Sequence, residues 1–393
     1  MNEHNLVPNI RFNGFEDEWK KSELKEIAKI VGGGTPDTNN SSYWHGNINW
    51  YSPNEIGKYP YVYSSHKKIT NLGLKKSSAK LHPSEKTILF TSRAGIGDMA
   101  ILKTEAATNQ GFQSLELKDN IYPYFVYSYG FKIKKEAIRV ASGSTFLEIS
   151  KKDIEKINLW FPSIKEQQKI GDFFSKLDKL LDLQKQKIDK LELLKKALLQ
   201  KLFPKHDAKI PELRFQGFED DWNEKRLNSI TKRLDSYRKP ITANKRLPGQ
   251  TPYYGANGIQ DYVKGYTHEG EFVLIAEDGA NDVKNYPVRF VKGYIWVNNH
   301  AHVLQAKASI SNNLFLSYSL KNKNLLPYLV GSGRMKLNAD VLMNLLLKIP
   351  DLNEQQKIGN LLSKVDQLIE LENKKLQNFQ QVKKCLLQNM FVE

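Results

Sequence analysis

His300-Ala-His302 offers two imidazoles one residue apart, but without a third nearby ligand such a pair makes polar contacts more often than it holds an ion, and no metal site is expected. Gly32-Gly33-Gly34-Thr35 lacks the Gly-Lys-Ser/Thr that lets a glycine loop cradle phosphate, so it reads as a flexible turn. Pro350-Asp351 with Glu372-Asn-Lys374 matches a nuclease metal pattern formally. Its second part lies in a helical heptad pattern, though, rather than on a strand beside the first. Neither the donor-binding glycine motif nor the Asn/Asp-Pro-Pro-aromatic loop of an adenine methyltransferase is found. No catalytic residue is therefore expected, and one cysteine, Cys385, excludes zinc fingers and iron–sulfur clusters.

What remains is polar, basic and aromatic. Arg, Lys, Asn and Gln read base edges in the major groove, while Lys, Arg, hydroxyls and backbone amides position a protein on phosphates. Such residues gather at Lys67, Lys68, Lys75, Lys76, Ser92, Arg93, Asn109, Gln110 and Arg139, and again at Arg238, Lys239, Tyr254, Asn257, Asn281, Asn299, His300 and Arg334. The 393 residues carry 59 Lys+Arg against 43 Asp+Glu, a formal charge of +16 that suits a polyanionic partner. No apolar run approaches the ~20 residues of a spanning helix, and the first ten residues lack a signal-peptide core. A cytoplasmic protein is expected, with no membrane partner.

These candidates sit inside a duplication. Pro8-Asn-Ile-Arg-Phe-Asn-Gly-Phe-Glu-Asp-Glu-Trp19 recurs as Pro211-Glu-Leu-Arg-Phe-Gln-Gly-Phe-Glu-Asp-Asp-Trp222, eight of twelve positions being identical. Pro162-Ser-Ile-Lys-Glu-Gln-Gln-Lys-Ile-Gly171 recurs as Pro350-Asp-Leu-Asn-Glu-Gln-Gln-Lys-Ile-Gly359. Between the anchors the two copies barely match. Both inserts read as short strands (Thr87–Thr91 and Met99–Leu102; Phe272–Ala276 and Tyr294–Val297) around polar loops. An aromatic helical segment follows in each (Tyr124 to Phe131; Leu314 to Leu320), then a Gly-Ser loop (Gly143-Ser144; Gly331-Ser332). The inserts are expected to be two copies of one α+β domain with different surface chemistry.

Each copy closes with a long helix, announced by Pro and Glu-Gln-Gln. Apolar heptads run from Ile170 to Leu202 and from Ile358 to Met390, interrupted at Gln184 and Lys195 in the first and at Glu372 and Lys383 in the second. Each seam could pack on its own domain, but length favours pairing of the two helices. An antiparallel register in which paired numbers sum to 567 sets Gln184 against Lys383 and Lys195 against Glu372, with Ile188, Leu191, Leu376 and Phe379 between them. The expected organisation is 1–161 and 204–349 as recognition domains, with 162–203 and 350–393 as spacer helices.

The duplicated Pro-x-Leu-Arg-Phe-x-Gly-Phe and Pro-x-x-x-Glu-Gln-x-x-Ile motifs, the helical spacers, and inserts carrying Thr251-Pro-Tyr-Tyr-Gly-Ala-Asn257 and Trp296-Val-Asn-Asn-His-Ala-His302 resemble the specificity subunit of type I restriction-modification enzymes. The resemblance covers nearly the whole chain. It implies two target-recognition domains, each for one half of a split duplex DNA sequence, and an antiparallel helical ruler. It implies docking of two modification subunits, which bind S-adenosylmethionine and methylate adenine, and of restriction subunits that use ATP and magnesium; none of these cofactors would belong to this chain. A helix from Gln167 to Leu202, at about 1.5 Å per residue, would reach roughly 54 Å, and half-site centres are expected about one DNA turn apart. The alternatives are a self-contained methyltransferase or nuclease with an unrecognised site, and a helical scaffold without base readout.

Overall fold

The short apolar runs of the first insert become strands with every residue buried, Thr87–Phe90 and Met99–Leu102 among them, because helices and loops cover both faces of their sheet. The computed structural model describes residues 6–93, 95–143, 147–205 and 207–392. Ser144 of the expected first Gly-Ser loop lies outside the described residues. Contacts divide the chain into two units, Met1–Gln184 with Lys375–Glu393, and Lys185–Lys374. No helix among the described residues is long and apolar enough to cross a membrane.

The first unit runs β1 (Lys20–Glu23), α1 (Leu24–Ile27), β2 (Ala28–Gly32), β3 (Trp44–Tyr51), β4 (Tyr61–Val62), β5 (Lys67–Ile69), α2 (Asn71–Lys75), β6 (Thr87–Phe90), β7 (Met99–Leu102), β8 (Ala106–Thr108) and β9 (Gln113–Leu117). It continues through α3 (Pro123–Ser128), α4 (Gly130–Val140), α5 (Lys151–Glu155) and β10 (Asn158–Phe161) into α6 (Ile164–Lys201). Its main sheet has the order β2-β9-β6-β7-β4, antiparallel except where β4 joins β7. The expected aromatic helix is two helices, α3 and α4, and Phe125 of α3 packs with Trp19, Phe174 and Phe391 in the core.

The second unit follows the same plan: β11 (Asn223–Arg226), α7 (Leu227–Ile230), β12 (Thr231–Arg233), β13 (Pro248–Gly255), β14 (Gly258–Val263), β15 (His268–Ala276), β16 (Val288–Val297), β17 (Ala301–Ala306), α8 (Asn313–Asn322), α9 (Ala339–Met343), β18 (Leu346–Ile349) and α10 (Leu352–Asn389). Its sheet order is β12-β17-β15-β16-β13-β14, and β13 runs parallel to the end of β16 at Tyr253–Trp296 and Tyr254–Val297, as β3 does to β8 at Trp50–Ala107 and Tyr51–Thr108. Phe315, Phe203, Trp222 and Ile358 fill the core. The mixed α+β class read from the sequence is the class observed.

The repeated words of the sequence hold the helix starts. Ser163 Oγ accepts from the Glu166 amide at 3.4 Å, and Asp351 Oδ1 accepts from the Asn353 amide at 2.7 Å, so each proline is followed by an N-cap. The Arg of the first motif binds the Glu of the second: Arg11 to Glu166, and Arg214 to Glu354. Gln167 donates to the Pro162 carbonyl and accepts from the Tyr122 amide; Gln355 does the same with Pro350 and Asn312. The Glu and Gln side chains are buried, and their identity in both copies follows from packing.

Two expectations need correction. Gly33 and Gly34 form no flexible turn: a Cβ would lie 2.0 Å from the Asn109 carbonyl at the first and 2.2 Å from Ser78 Oγ at the second. Glycine is there because neighbouring chain approaches closely. The helix register also differs. Within the second unit Lys187 pairs with Glu372 at 2.8 Å and Lys195 with Asp366 at 2.5 Å, and within the first Lys383 pairs with Asp178. Paired numbers sum to about 560, one heptad below the expected 567. Glu372 is 2% exposed and takes its cation from a flanking lysine whose long stem keeps the ammonium at the water's edge. Glu372, Lys195 and Lys383 are thus each matched by a flanking charge.

The flanking carboxylates also tie helix to insert. Tyr124 of α3 donates to Asp178 at 2.8 Å, and Tyr318 of α8 donates to Asp366 at 2.7 Å. Burial raises both phenols well above their ordinary range, and the neighbouring carboxylates add to it. Each unit therefore has one Tyr–Asp–Lys triad in the same place.

Candidate nucleic-acid interface

In the first unit three segments meet at the end of β6: the loop to β7, the turn before β9, and the stretch around residue 149. The Ser92 amide donates to the Gly111 carbonyl at 2.8 Å, and the Ile149 amide to the Ser92 carbonyl at 3.0 Å. In the second unit the Glu277 amide donates to the His300 carbonyl at 2.9 Å, and the Leu337 amide to the Glu277 carbonyl at 2.7 Å. The turns correspond atom for atom. Asn109 Oδ1 accepts from the Gly111 amide and Asn298 Oδ1 from the His300 amide, both at 2.8 Å. The Asn109 and Asn298 amides reach the carbonyls of Tyr51 and Tyr254, each at 3.0 Å. Sequence comparison missed this equivalence because only backbone and one asparagine define it.

On that shared scaffold the side chains differ. Arg93 stands where the second unit has Asp278, Gln110 where it has Asn299, and Gly111 where it has His300. In the first unit Arg93 Nη2 donates to the Gln110 carbonyl at 2.8 Å, and Nε lies 3.7 Å from Glu148. Arg93, Asn109 and Gln110 join Pro53 and Asn54 around an open cleft of about 320 Å³, and Thr35 donates to Gln110 Oε1. Lys67 and Lys68 are exposed on β5, and Lys75 and Lys76 are exposed at the end of α2. Arg139 is exposed on the last turn of α4, paired with Glu136.

In the second unit Asn257, Asn281, Asn299, His300 and Arg334 all lie on loops, and several are linked. Asn257 Nδ2 donates to the Gly279 carbonyl at 2.9 Å, and its Oδ1 accepts from the Asn281 amide, also at 2.9 Å. His300 Nδ1 and Arg334 Nη2 meet the same oxygen of Asp278, at 2.6 and 2.8 Å. Asp278 and Arg289, which donates to the Asn257 carbonyl at 2.9 Å, were not singled out from sequence. An acidic residue carries no DNA-binding signal there, and the distance from Arg289 to the loop in sequence hides their contact. Lys239 is exposed, and Tyr254 is half-buried on β13, its phenol raised by burial.

Three candidates take part in building the scaffold. Ser92 is 0% exposed. Asn109 spends its carbonyl oxygen on shaping the turn. Arg238 is 16% exposed and donates to Glu277 at 2.7 Å and the Ala301 carbonyl at 3.0 Å. It belongs to an ion-pair network. Asp235, Glu277 and the buried His302 bring potential ligand atoms within 4.8 Å of one another, but Arg238 and Lys336 already meet their charge. Burial pushes the Glu277 carboxyl up, and hydrogen bonds from Arg238 and Lys336 outweigh it, leaving the group below its ordinary value.

Known families supply the comparison. The family model described as "Type I restriction modification DNA specificity domain" matches residues 16–193 and again 219–381. The chain belongs to this family. Its two matches coincide with the two copies found in the sequence. Among relatives, a chain assigned as a type I restriction enzyme specificity subunit in Haemophilus influenzae is 43% identical over 158 residues, 40% of each chain. The MjaIX specificity subunit of Methanocaldococcus jannaschii is 36% identical over 47% of this chain and 44% of its own length. These two matches therefore span less than half of each relative. The EcoprrI specificity subunit of Escherichia coli is 26% identical over 91% of this chain and 89% of its own length. Among solved structures, the S subunit of a type I restriction-modification system from M. genitalium superposes with a TM-score of 0.67 over 98% of this chain and 99% of that one. At 17% identity that match speaks for the specificity-subunit fold alone.

Proposed function

We propose that this chain is the non-catalytic DNA-recognition subunit of a type I restriction-modification complex, each unit reading one half of a split duplex target. One observation carries the reading: the same loop scaffold is built twice, with the same backbone bonds, and bears different side chains at the same places. Separate loop chemistry on a common scaffold is what two different half-sequences require. The formal charge of +16 suits the phosphate component of binding.

The long helices supply the docking surface for two modification subunits, with restriction subunits joining the complex. Their support is the exposed leucines of α6 and α10: Leu180 and Leu183 in the first unit, Leu193, Leu194, Leu368 and Leu371 in the second. Apolar side chains on otherwise charged helices favour burial against a partner. S-adenosylmethionine, ATP and magnesium then belong to those partners.

Mapping methylated adenines in host cells with and without this gene tests the reading. Loss of methylation at one bipartite sequence is expected on deletion. An unchanged methylation map, or adenine methylation by the purified chain alone, would overturn it.

A further inference from the structure

We propose that Arg334 reads a guanine in the half-target of the second unit, and that Asp278 is the residue positioning its guanidinium. The proposal rests on the DNA-recognition reading above and names the side chain that performs part of it. Arg334 is 60% exposed, and Nη2 donates to Asp278 Oδ1 at 2.8 Å. His300 Nδ1 lies 2.6 Å from that oxygen and 3.1 Å from Nη2, so the carboxylate is itself held from a second side. Among the described residues, Nε and Nη1 have no hydrogen-bond partner. The guanidinium is anchored at Nη2; with His300 Nδ1–H donating to Asp278, the second Nη2 hydrogen and Nη1 remain for a fork.

The backbone completes the mounting. Gly279 has a φ of +68°, and a Cβ there would sit 3.2 Å from both Nε and Nη2 of Arg334. The planar group thus lies against bare backbone that a side chain would fill. A bidentate contact to guanine O6 and N7 needs a planar fork held in one orientation, which this mounting supplies. A phosphate contact does not fit equally well. A carboxylate 2.8 Å from the guanidinium repels a phosphate approaching the same group, whereas a neutral base edge tolerates it.

In the first unit the scaffold bears different chemistry here: Arg93 stands where the second unit has Asp278, and its Nε lies 3.7 Å from Glu148, the counterpart of Lys336.

The test uses the full-length chain, recovered from its own cells with any subunits that copurify, selecting from a pool of randomised duplexes that is then sequenced. The wild-type chain should enrich a bipartite sequence containing a strongly specified guanine in one half. Arg334→Ala should lose that guanine alone, by roughly ten- to a hundredfold in preference, with the other half unchanged. Arg334→Lys keeps the charge but lacks the fork, so it should bind with near-normal affinity and the same loss of preference; this variant separates readout from folding. Asp278→Asn should weaken the preference at the same position and no other. A uniform fall in affinity with every position still specified would make Arg334 a phosphate contact and overturn the proposal. An unchanged sequence logo would do so too. Enrichment of no sequence by the wild-type complex would instead refute the recognition reading on which the proposal stands.

Discussion

Arg11 holds Glu166 by two parallel hydrogen bonds, Nε to Oε1 and Nη2 to Oε2, each 2.8 Å long. Glu166 is 1% exposed, so the pair joins the first duplicated motif to the second inside the protein. The bond to Glu166 raises the guanidinium above its ordinary pKa even against partial burial. Replacing Arg11 by Ala leaves a buried carboxylate alone, and a loss of about 3–5 kcal/mol is expected. Urea unfolding should register it, with Arg11→Lys intermediate because the fork is lost and the charge kept.

Phe391 should be as necessary as any residue of the first insert, although it is near the end of the chain. Its ring lies 4.5 Å from Tyr129, 5.4 Å from Phe125 and 5.9 Å from Phe174. Phe391→Ala should cost about 3–5 kcal/mol. Hydrogen exchange should speed up in α3 and α4 and stay unchanged in the second unit's sheet, which has its own Phe203 in the equivalent place.

The helix register can be measured by double-mutant cycles. Lys195 and Asp366 are each about 30% exposed, and their coupling is expected to reach up to about 1 kcal/mol. Lys195 and Glu372, partners in the register read from sequence alone, should show none. Stability of the single and double alanine variants in urea decides between the two registers.

His82 should make the first unit sensitive to acid. It is 0% exposed, with Nδ1 2.9 Å from Glu116 and Nε2 without a partner among the described residues. Burial lowers its pKa below the usual 6.5 despite the Glu116 bond. The unfolded chain therefore takes up the proton first. Stability is fully present above the unfolded value and falls as pH drops through it towards the lower folded value, by at most about 1.4 kcal/mol per pH unit. His82→Gln should flatten that part of a stability–pH curve.

Lys75 and Lys76 should act on phosphate. Replacing both by Ala is expected to weaken binding to all duplexes alike and to reduce the slope of log affinity against log salt by about 0.9 for each phosphate no longer neutralised. Titrations of specific and scrambled duplexes at several salt concentrations check both effects.

The sequence by itself determined the duplication, the α+β class, the two long helices and the strands at Thr87, Met99, Phe272 and Tyr294. These depend on local periodicity and on repeated words, which a single chain displays directly. It also contained the residues Arg11, Glu166, Arg214 and Glu354 within those words, without revealing that they meet. Only the tertiary structure decided which polar residues build and which are presented. Asn109 and Arg238 share residue type and loop setting with Asn299 and Arg334, and they differ only in what surrounds them. Burial and hydrogen-bond partners come from segments far apart in sequence, so residue type cannot report them. The register shift has the same origin: heptads repeat every seven residues, and alignment by one heptad or the next satisfies the apolar pattern equally. Flanking charges at Asp178, Lys187 and Asp366 break that tie, and their reach becomes visible only when the helices are side by side within each unit.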